Sequence, residues 1–292
     1  MTVEKVEIQL RGTIAKPTDY RVVVRLCRRA AGPGDYVLSI LNEVIEDKGL
    51  FLAWKNGELV GMANFEKCID GSGWLSMART DPAWRGRGVA LFLQGMIAAH
   101  ARHKRIGILR LWTSSRNKPS IRACIKGGFK QVCEAARISY DLKGAQGHQM
   151  PHFQPISFQA MSSAKSLEDL QNSSYLSRMN WYLGYKRHIL KADTRLMEKL
   201  LYRGELYTAG KSSFLLTKPE NIRRQRVASF TLLTGPLASS LRTISAVASI
   251  LGASVVEAFV PYDRYLLRIT RTLGFHEDPW GKRCIVFEKA IT

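Results

Sequence analysis

The sequence predicts an α+β fold carried twice along the chain, and three observations predict it. Segments with strand and helix periodicity follow one another in the order β-α-α-β-β-β-α-β-α-β over about residues 5–142. In the middle of that run a loop rich in glycine and arginine, Trp84-Arg85-Gly86-Arg87-Gly88-Val89-Ala90, joins a strand to a helix. The second half of the chain then repeats much of the same order, after a polar, glycine-bearing stretch at Gly144-Ala-Gln-Gly-His-Gln149 that is followed by Pro151.

The elements can be justified one at a time. Val6, Ile8 and Leu10 alternate as a first strand does. Pro17-Thr18-Asp19 starts a helix whose apolar positions are Val22, Val23 and Leu26, and Gly32-Pro33-Gly34 ends it. Asp35 opens a second helix through Tyr36, Leu38, Leu41, Val44 and Ile45, which Gly49 stops. Leu50–Trp54 and Leu59–Phe65 form a hairpin about Asn56-Gly57, a pair that accepts the left-handed conformation such turns require. A strand over 74–80, a helix to about Lys104, a strand at Ile108–Trp112, a helix after Ser115-Arg-Asn117-Lys-Pro-Ser120, Gly127-Gly128-Phe129 and a closing strand at Ile138–Leu142 complete the half.

The loop at 84–90 has a chemical logic. Two glycines allow the backbone to approach a bulky ligand closely. The first N–H groups of the following helix have no acceptor within it, and with the positive end of its dipole they suit a pyrophosphate. Arg85 and Arg87 add two cations. The loop is not a phosphate loop of the Gly-Lys-Ser/Thr kind, nor the Gly-x-Gly-x-x-Gly of dinucleotide folds.

Arg85-x-x-Gly88-x-Ala90 instead resembles the Arg/Gln-x-x-Gly-x-Gly/Ala loop of the GCN5-related N-acetyltransferases. It follows a strand ending in Thr80-Asp-Pro82, it precedes Asn117-x-x-Ser120 by 32 positions (85 to 117), and a Gly-Phe pair closes the unit. The resemblance covers about residues 5–142. It implies a mixed, mostly antiparallel central sheet flanked by helices, and transfer of an acetyl group from acetyl-CoA, a co-substrate, to a primary amine, with no metal. It also implies roles for residues. Backbone atoms of Ala78, Arg79 and Thr80 would meet the pantetheine and acetyl groups. Arg85, Gly86, Arg87, Gly88, Val89 and Ala90 would hold the pyrophosphate, and Asn117 and Ser120 would lie near the thiol.

Two positions depart from the family's pattern. Where many members carry a tyrosine as acid for the leaving thiolate, four positions before the glycine of Gly-Phe, this chain has Cys124. A thiol of pKa about 8.5 can still protonate a thiolate of similar basicity. Where many members carry a glutamate base on the fourth strand, residues 74–80 hold no carboxylate, and Glu66 and Asp70 are the nearest substitutes. Of these acid and base candidates, Cys124 and Glu66 are assigned the catalytic roles. The wording around Trp84–Ala90 with Leu93-Gln94, and a second half-copy, is similar to the histidine N-acetyltransferase-like branch, which implies an amino acid or small amine rather than a protein as acceptor.

The repeat places the domain boundary at 146/147. Strand-like Ile156–Gln159, a helix from Ser163, a helical stretch from Asn180 to Tyr202, strands at 205–209, 213–217 and 227–233, a helix over 237–251, a strand at 255–260 and a helix to Thr272 lead to Gly274-Phe275, which lies 146 positions after Gly128-Phe129. Pro82 to Phe129 spans 47 positions and Pro236 to Phe275 spans 39. The shortfall includes the Arg-Gly loop, and Asp263 stands where Asn117 would, so the second copy is expected to be degenerate.

Composition bounds the remaining readings. With 44 Lys and Arg against 24 Asp and Glu, the chain carries a formal charge of +20. Residues 1–146 contribute 24 − 13 = +11 and the remainder 20 − 11 = +9, so no tail is responsible. Spread charge of this size favours polyanions such as CoA phosphates, and is compatible with a nucleic acid without requiring one. No zinc finger or Arg-Gly-Phe-Gly-Phe-type RNA signature is present. Five scattered cysteines and six histidines make no metal spacing, which reads as reduced thiols in a cytoplasmic protein without a membrane span. His100 and His103 fall near the solvent edge of their helix. The expected partner is a small-molecule amine, and the expected state is a monomer with an internal pseudo-dimer, or a homodimer. A non-catalytic acyl-CoA sensor or a basic nucleic-acid-associated module is the alternative.

Overall fold

The computed structural model describes residues 9–142, 157–222 and 224–291. Val6 and Ile8 of the first strand, the stretch at 144–149 with Pro151, Ile156 and the 146/147 boundary lie outside these residues. The chain forms two compact units. Of the described residues, the first comprises 9–111, 119–130 and 288–291, and the second 112–118, 131–142, 157–222 and 224–287.

The first unit is built from β1 (Arg11–Ile14), α1 (Tyr20–Ala31), α2 (Leu41–Glu46), β2 (Leu50–Lys55), β3 (Glu58–Lys67), β4 (Gly73–Thr80), α3 (Val89–His103), β5 (Ile108–Ser114, of which 108–111 belong here) and α4 (Lys118–Lys126). The strands lie in the order β1-β2-β3-β4-β5. All pairs are antiparallel except β4 with β5, which α3 links as a crossover. Asn56 and Gly57 turn the hairpin with φ of 50° and 81°, as Asn-Gly predicts.

The two faces of this sheet are covered by different helices. Val23, Leu26 and Cys27 of α1 and Leu41, Val44 and Ile45 of α2 pack on Leu50, Leu52 and Met62. On the other face Val89 and Leu93 of α3 lie over Gly61, where a side chain would collide with Val89. Each fully buried Leu or Ile here stabilises the unit by roughly 1.5–3 kcal/mol. His100 packs edge-on against Phe51 and Phe65, with ring centroids 5.3 Å apart in both cases, and so faces inward more than its position suggested; His103 is exposed. Buried Arg110 donates to Asp70, to Ser72 Oγ (2.9 Å) and to Glu288 (2.7 Å).

The second unit holds β6 (Lys130–Asp141), β7 (Gln159–Ala160), α5 (Ser163–Asn172), α6 (Ser174–Ser177), β8 (Tyr182–Tyr185), β9 (His188–Lys191), α7 (Thr194–Tyr202), β10 (Leu206–Ala209), β11 (Ser212–Leu216), β12 (Glu220–Ile222), β13 (Gln225–Thr234), α8 (Leu237–Ile250), β14 (Val255–Pro261), α9 (Arg264–Thr272), β15 (His276–Glu277) and most of β16 (Cys284–Ala290). Its main sheet runs β16-β6-β14-β13-β11-β10-β7, with β12 on β13 and β15 on β6. Here too one parallel pair, β13 with β14, is linked by a helix, α8. Phe214, Phe230, Leu241, Ile244, Val256 and Phe275 anchor the core.

Three sequence expectations change. The helix expected from Asp35 through Ile45 is a 3-10 turn over Tyr36–Ser39 followed by α2, because Ile40 between them leaves the helical conformation at φ −126°. The closing strand expected at 138–142 is β6, which starts at Lys130 directly after Phe129, because Ala135–Asp141 pair along their whole length with β14. The stretch from Asn180 to Tyr202 is not one helix but the hairpin β8–β9 followed by α7. Asn180, Trp181 and Lys186 take positive φ (51°, 62° and 54°), which no helix permits. Gly184 lies so close to Phe259 that an added Cβ would come within 3.1 Å of the Phe259 Cβ, and Asp193 caps the true helix start through Leu196 N (2.8 Å).

Candidate functional site

The first unit contains an opening in its sheet. β4 and β5 pair only through Gly73 with Leu109 and Trp74 with Arg110. On its other side β4 stays paired with β3 as far as Thr80, but the register slips: Met62 faces Arg79 while Asn64 faces Ser76. One extra residue on β4 is thus accommodated as a bulge, with Met77 at φ 55°. Bulges re-aim the strand that carries them. Here the backbone of Ala78, Arg79 and Thr80 runs past the end of the β5 ladder, presenting peptide groups to whatever lies alongside.

Beyond Thr80, Asp81 accepts from Ala83 N (3.0 Å) and turns the chain through Pro82–Trp84 into the glycine loop. Gly86 and Gly88 have φ of 76° and 81°, and a Cβ built on either would meet nothing within 4 Å. Gly88 is the N-cap of α3 and offers no side-chain acceptor. The first intrahelical bond is Phe92 N to Gly88 O (2.9 Å), so the N–H groups of the first turn, Val89 and Ala90 among them, have no acceptor inside the helix. Val89 itself is buried, so this turn is fixed by packing. An open, donor-rich helix start beside a strand that has left its neighbour fits a pyrophosphate followed by a linear, amide-bearing arm. That is the shape and chemistry of CoA, and these residues fit it.

The side chains predicted for this site are not all gathered in it. The Arg85 guanidinium donates to Ala30 O (2.9 Å) at the end of α1, and Arg87 lies over the Trp84 ring, 5.3 Å from its centroid. Asp81 is further tied to Arg29 (2.7 Å), so the loop is tethered to α1. Arg79 turns its side chain to Asp35, Nε to Oδ2 at 2.8 Å and a terminal nitrogen to Oδ1 at 2.6 Å, with the Tyr36 ring 5.4 Å away. Burial alone would raise the Asp35 pKa, but the Arg79 hydrogen bonds and charge outweigh it and hold the carboxyl below its usual value. This pair spans 44 positions, and no local signal in the sequence announces it.

The acid and base candidates are held in different ways. Cys124, on α4, is 2% exposed, and burial pushes its thiol up to about 11, with Ser120 one turn earlier pulling the other way. Glu66 is exposed and faces Trp74 in the β3–β4 register, four residues from Ala78, or about 13 Å along the strand. Asp70 is taken up by Arg110 and by Ser72 N (3.0 Å). Asn117 belongs to the second unit, where its N–H donates to Ser114 O (2.9 Å).

In the second unit the corresponding opening is filled. β13 and β14 pair through Val227–Ser229 with Val255–Glu257. Beyond that ladder Leu176, Met179, Leu237, Leu241 and Leu266 close over Phe230 and Ala258, leaving a void of about 20 Å³. Gly235, ahead of α8, would collide with Ser240 Oγ, Lys211 O and the Ser212 Cα at 2.8–2.9 Å. Among the described residues no group of His, Cys, Asp or Glu is arranged to hold a metal ion, and no helix is long and apolar enough to cross a membrane.

Comparison with known proteins agrees with this geometry. Residues 25–129 match the sequence model of the Acetyltransferase (GNAT) family. The chain is similar in structure to a GCN5-related N-acetyltransferase from Sphaerobacter thermophilus (TM-score 0.58, 12% identity, 97% of this chain and 96% of that one). It is also similar to a candidate acetyltransferase from Pyrococcus horikoshii (0.55, 17%, 100% and 93%). A third likeness is to the glucosamine N-acetyltransferase region of a fungal multi-domain beta-N-acetylglucosaminidase (0.60, 12%, 97% and 38%). No curated protein matches the sequence. The fold is that of the GCN5-related N-acetyltransferases, and the mixed, mostly antiparallel sheet flanked by helices that the resemblance implied is present.

Proposed function

We propose that this protein is an acetyl-CoA-dependent N-acetyltransferase acting on the primary amine of a small molecule. The observation that carries the proposal is the open start of α3, where two left-handed glycines leave the first-turn N–H groups without side-chain or intrahelical acceptors beside the strand that leaves β5. Gly86 to Ala90 bind the pyrophosphate, and the peptide edge of Ala78 to Thr80 orients the arm, with one N–H polarising the thioester carbonyl. Ser120 contacts the arm near the thiol. The neutral amine attacks that carbonyl, the carbon–sulfur bond breaks, and the sulfur leaves with the electron pair. One proton leaves the amine and one joins the thiolate, so amine and acetyl-CoA become amide and CoA thiol.

Cys124 and Glu66 are the side chains named for the two proton transfers. The burial of the first and the distance of the second favour positioning, with water carrying the protons. The filled split of the second unit supports a degenerate copy that serves as scaffold and binds no acetyl-CoA. The small acceptor rests on the resemblance of Trp84–Ala90 with Leu93-Gln94 to the histidine N-acetyltransferase-like branch. Calorimetric titration should give one acetyl-CoA per chain, and a panel of primary amines should release CoA thiol. Binding without release for any amine would favour the acyl-CoA sensor, a reading that the lack of a carboxylate at the bulge keeps in view.

A further inference from the structure

The second unit carries an aromatic and basic surface that the acetyl-CoA reading does not use. It lies on α9 and the segments that flank it, residues 262–283. Three of the six exposed aromatic side chains among the described residues are here: Tyr262 is 44%, Tyr265 62% and Trp280 78% exposed. We propose that this surface binds single-stranded nucleic acid. The three rings are stacking platforms for unpaired bases, and Arg264, Arg268 and Lys282 contact the phosphates. The proposal does not depend on acetyl transfer.

The charges of the surface separate into those already paired and those left over. Arg137 holds Asp278 (3.0 Å), Arg271 holds Glu277 (2.6 Å), Arg283 holds Glu134 (2.7 Å), and Arg178 pairs with Asp263 (3.7 Å). Arg264, Arg268 and Lys282 are exposed and have no ion pair among the described residues. Three cations without counter-charges thus stand among three exposed rings. An acidic protein surface would use the cations alone. A lipid surface would need an apolar wedge, and Leu266 and Leu267 of α9 are buried. Rings beside cations match a chain of phosphates that also carries flat bases, and those bases show their faces only where the strand is unpaired.

The rings and cations are presented on fixed backbone. Arg264 and Arg268, one turn apart, share a face of α9 and lie about 6 Å from each other along its axis. The Arg268 guanidinium is 5.7 Å from the Tyr265 ring centroid. Trp280 stands on a turn in which Asp278 Oδ1 accepts from Trp280 N (2.8 Å) and Gly281 N (3.0 Å), and Asp278 N donates to Arg137 O (2.9 Å). Gly281 is pressed against Arg137, whose Cβ lies 2.8 Å from the place of a Gly281 Cβ. This segment adjoins α9 and its flank at two points, the Arg271–Glu277 pair and the Arg283 guanidinium 5.1 Å from the Tyr262 ring. The surface is therefore continuous, and platforms already held in place lose little freedom when a base stacks on them.

The test is fluorescence anisotropy of the full chain with labelled oligonucleotides of about 12 nucleotides, as single-stranded DNA, single-stranded RNA and the DNA duplex. At least one single strand should bind tenfold or more tightly than the duplex, and the tighter of the two tells RNA from DNA. That binding should survive saturating acetyl-CoA. Tyr265→Ala and Trp280→Ala, each with an unchanged melting curve, should weaken it at least fivefold and leave its salt dependence as it was. Arg264→Gln combined with Arg268→Gln should instead flatten the salt dependence, by about 1.4 in slope for two contacts at about 0.7 each. The proposal is overturned if the duplex binds as well as either strand, if the ring variants bind like the native protein, or if the arginine variant keeps the native slope. Competition by acetyl-CoA would put the strand in the glycine loop and overturn it too. No binding to either strand ends it, and capture by phosphatidylserine vesicles in that case would assign the surface to a membrane.

Discussion

Each unit contains one parallel strand pair bridged by a helix, and the two pairs have opposite fates beyond their short ladders. Past Gly73–Trp74, β4 bulges at Met77 and runs on to a loop whose glycines face open space. Past Val227–Ser229, β13 is covered by Leu176, Met179 and Leu241, and its glycine, Gly235, is hemmed in by Ser240 and Ser212. The same local topology therefore makes an open split or a piece of core, depending on what fills it. Parallel pairing that stops early exposes backbone groups and apolar flanks that a ligand or side chains must cover. An anion is suited only where the helix start is left open.

The comparison is broken most directly at Gly88. Gly88→Glu places a carboxylate at the proposed pyrophosphate site, and gives a left-handed N-cap to a residue that dislikes it, at roughly 1 kcal/mol. The expected result is a loss of acetyl-CoA affinity beyond a hundredfold in calorimetry, with a melting temperature lowered by only a few degrees. Unchanged affinity would remove the central argument.

The next effect falls on the anchor of the open side. Asp35→Asn leaves the largely buried Arg79 without its counter-charge, and should destabilise the protein by about 3–5 kcal/mol in denaturant unfolding. The sign with pH follows from the lowered carboxyl. The Asp35 contribution is complete above its ordinary unfolded value and is lost as pH falls through the lower folded one. The acid limb of the stability curve should therefore flatten in the variant, and an identical limb would show that the pair is not what holds this loop.

On the filled side, Leu241→Ala should cost about 2–5 kcal/mol by opening a void in the core over β13, yet should create no second acetyl-CoA site, because the approach at Gly235 stays closed. A stoichiometry rising from one to two per chain would mean that packing alone separates the two splits.

What the sequence disclosed follows the range of each signal. Asn56-Gly57, the two glycines of the loop and Pro82 act within a few residues, and the turn and the loop are where they imply. The bulge at Met77 was not legible, because it arises from a register slip against β3 and not from any residue of turn type. The Asp35–Arg79 pair and the capture of Arg85 by Ala30 O are contacts over 44 and 55 positions, which periodicity cannot see. The Asn180–Tyr202 stretch failed for a related reason: its apolar spacing suits a helix, while Gly184 is pressed against Phe259 and Asn180, at positive φ, is tied to Val132 O over 48 positions.

The smallest effect belongs to Cys124, and it tests whether proton transfer near the open split runs through a side chain. Its thiol is 2% exposed and is pushed up to about 11, chiefly by burial. An acid that weak gives its proton reluctantly to a thiolate of ordinary basicity, and a group that ionises so high has no inflection between pH 6 and 9. Cys124→Ala should therefore lower stability by about 1 kcal/mol through the lost sulfur packing, leave kcat within twofold, and leave the shape of the kcat profile from pH 6 to 9 unaltered. Cys124→Ser, which keeps a donor at the same place, should behave alike. If alanine instead lowers kcat a hundredfold while serine restores it, and acetyl-CoA affinity is unchanged in both, the buried thiol is the proton donor. The split would then have to open enough to bring the leaving sulfur to it.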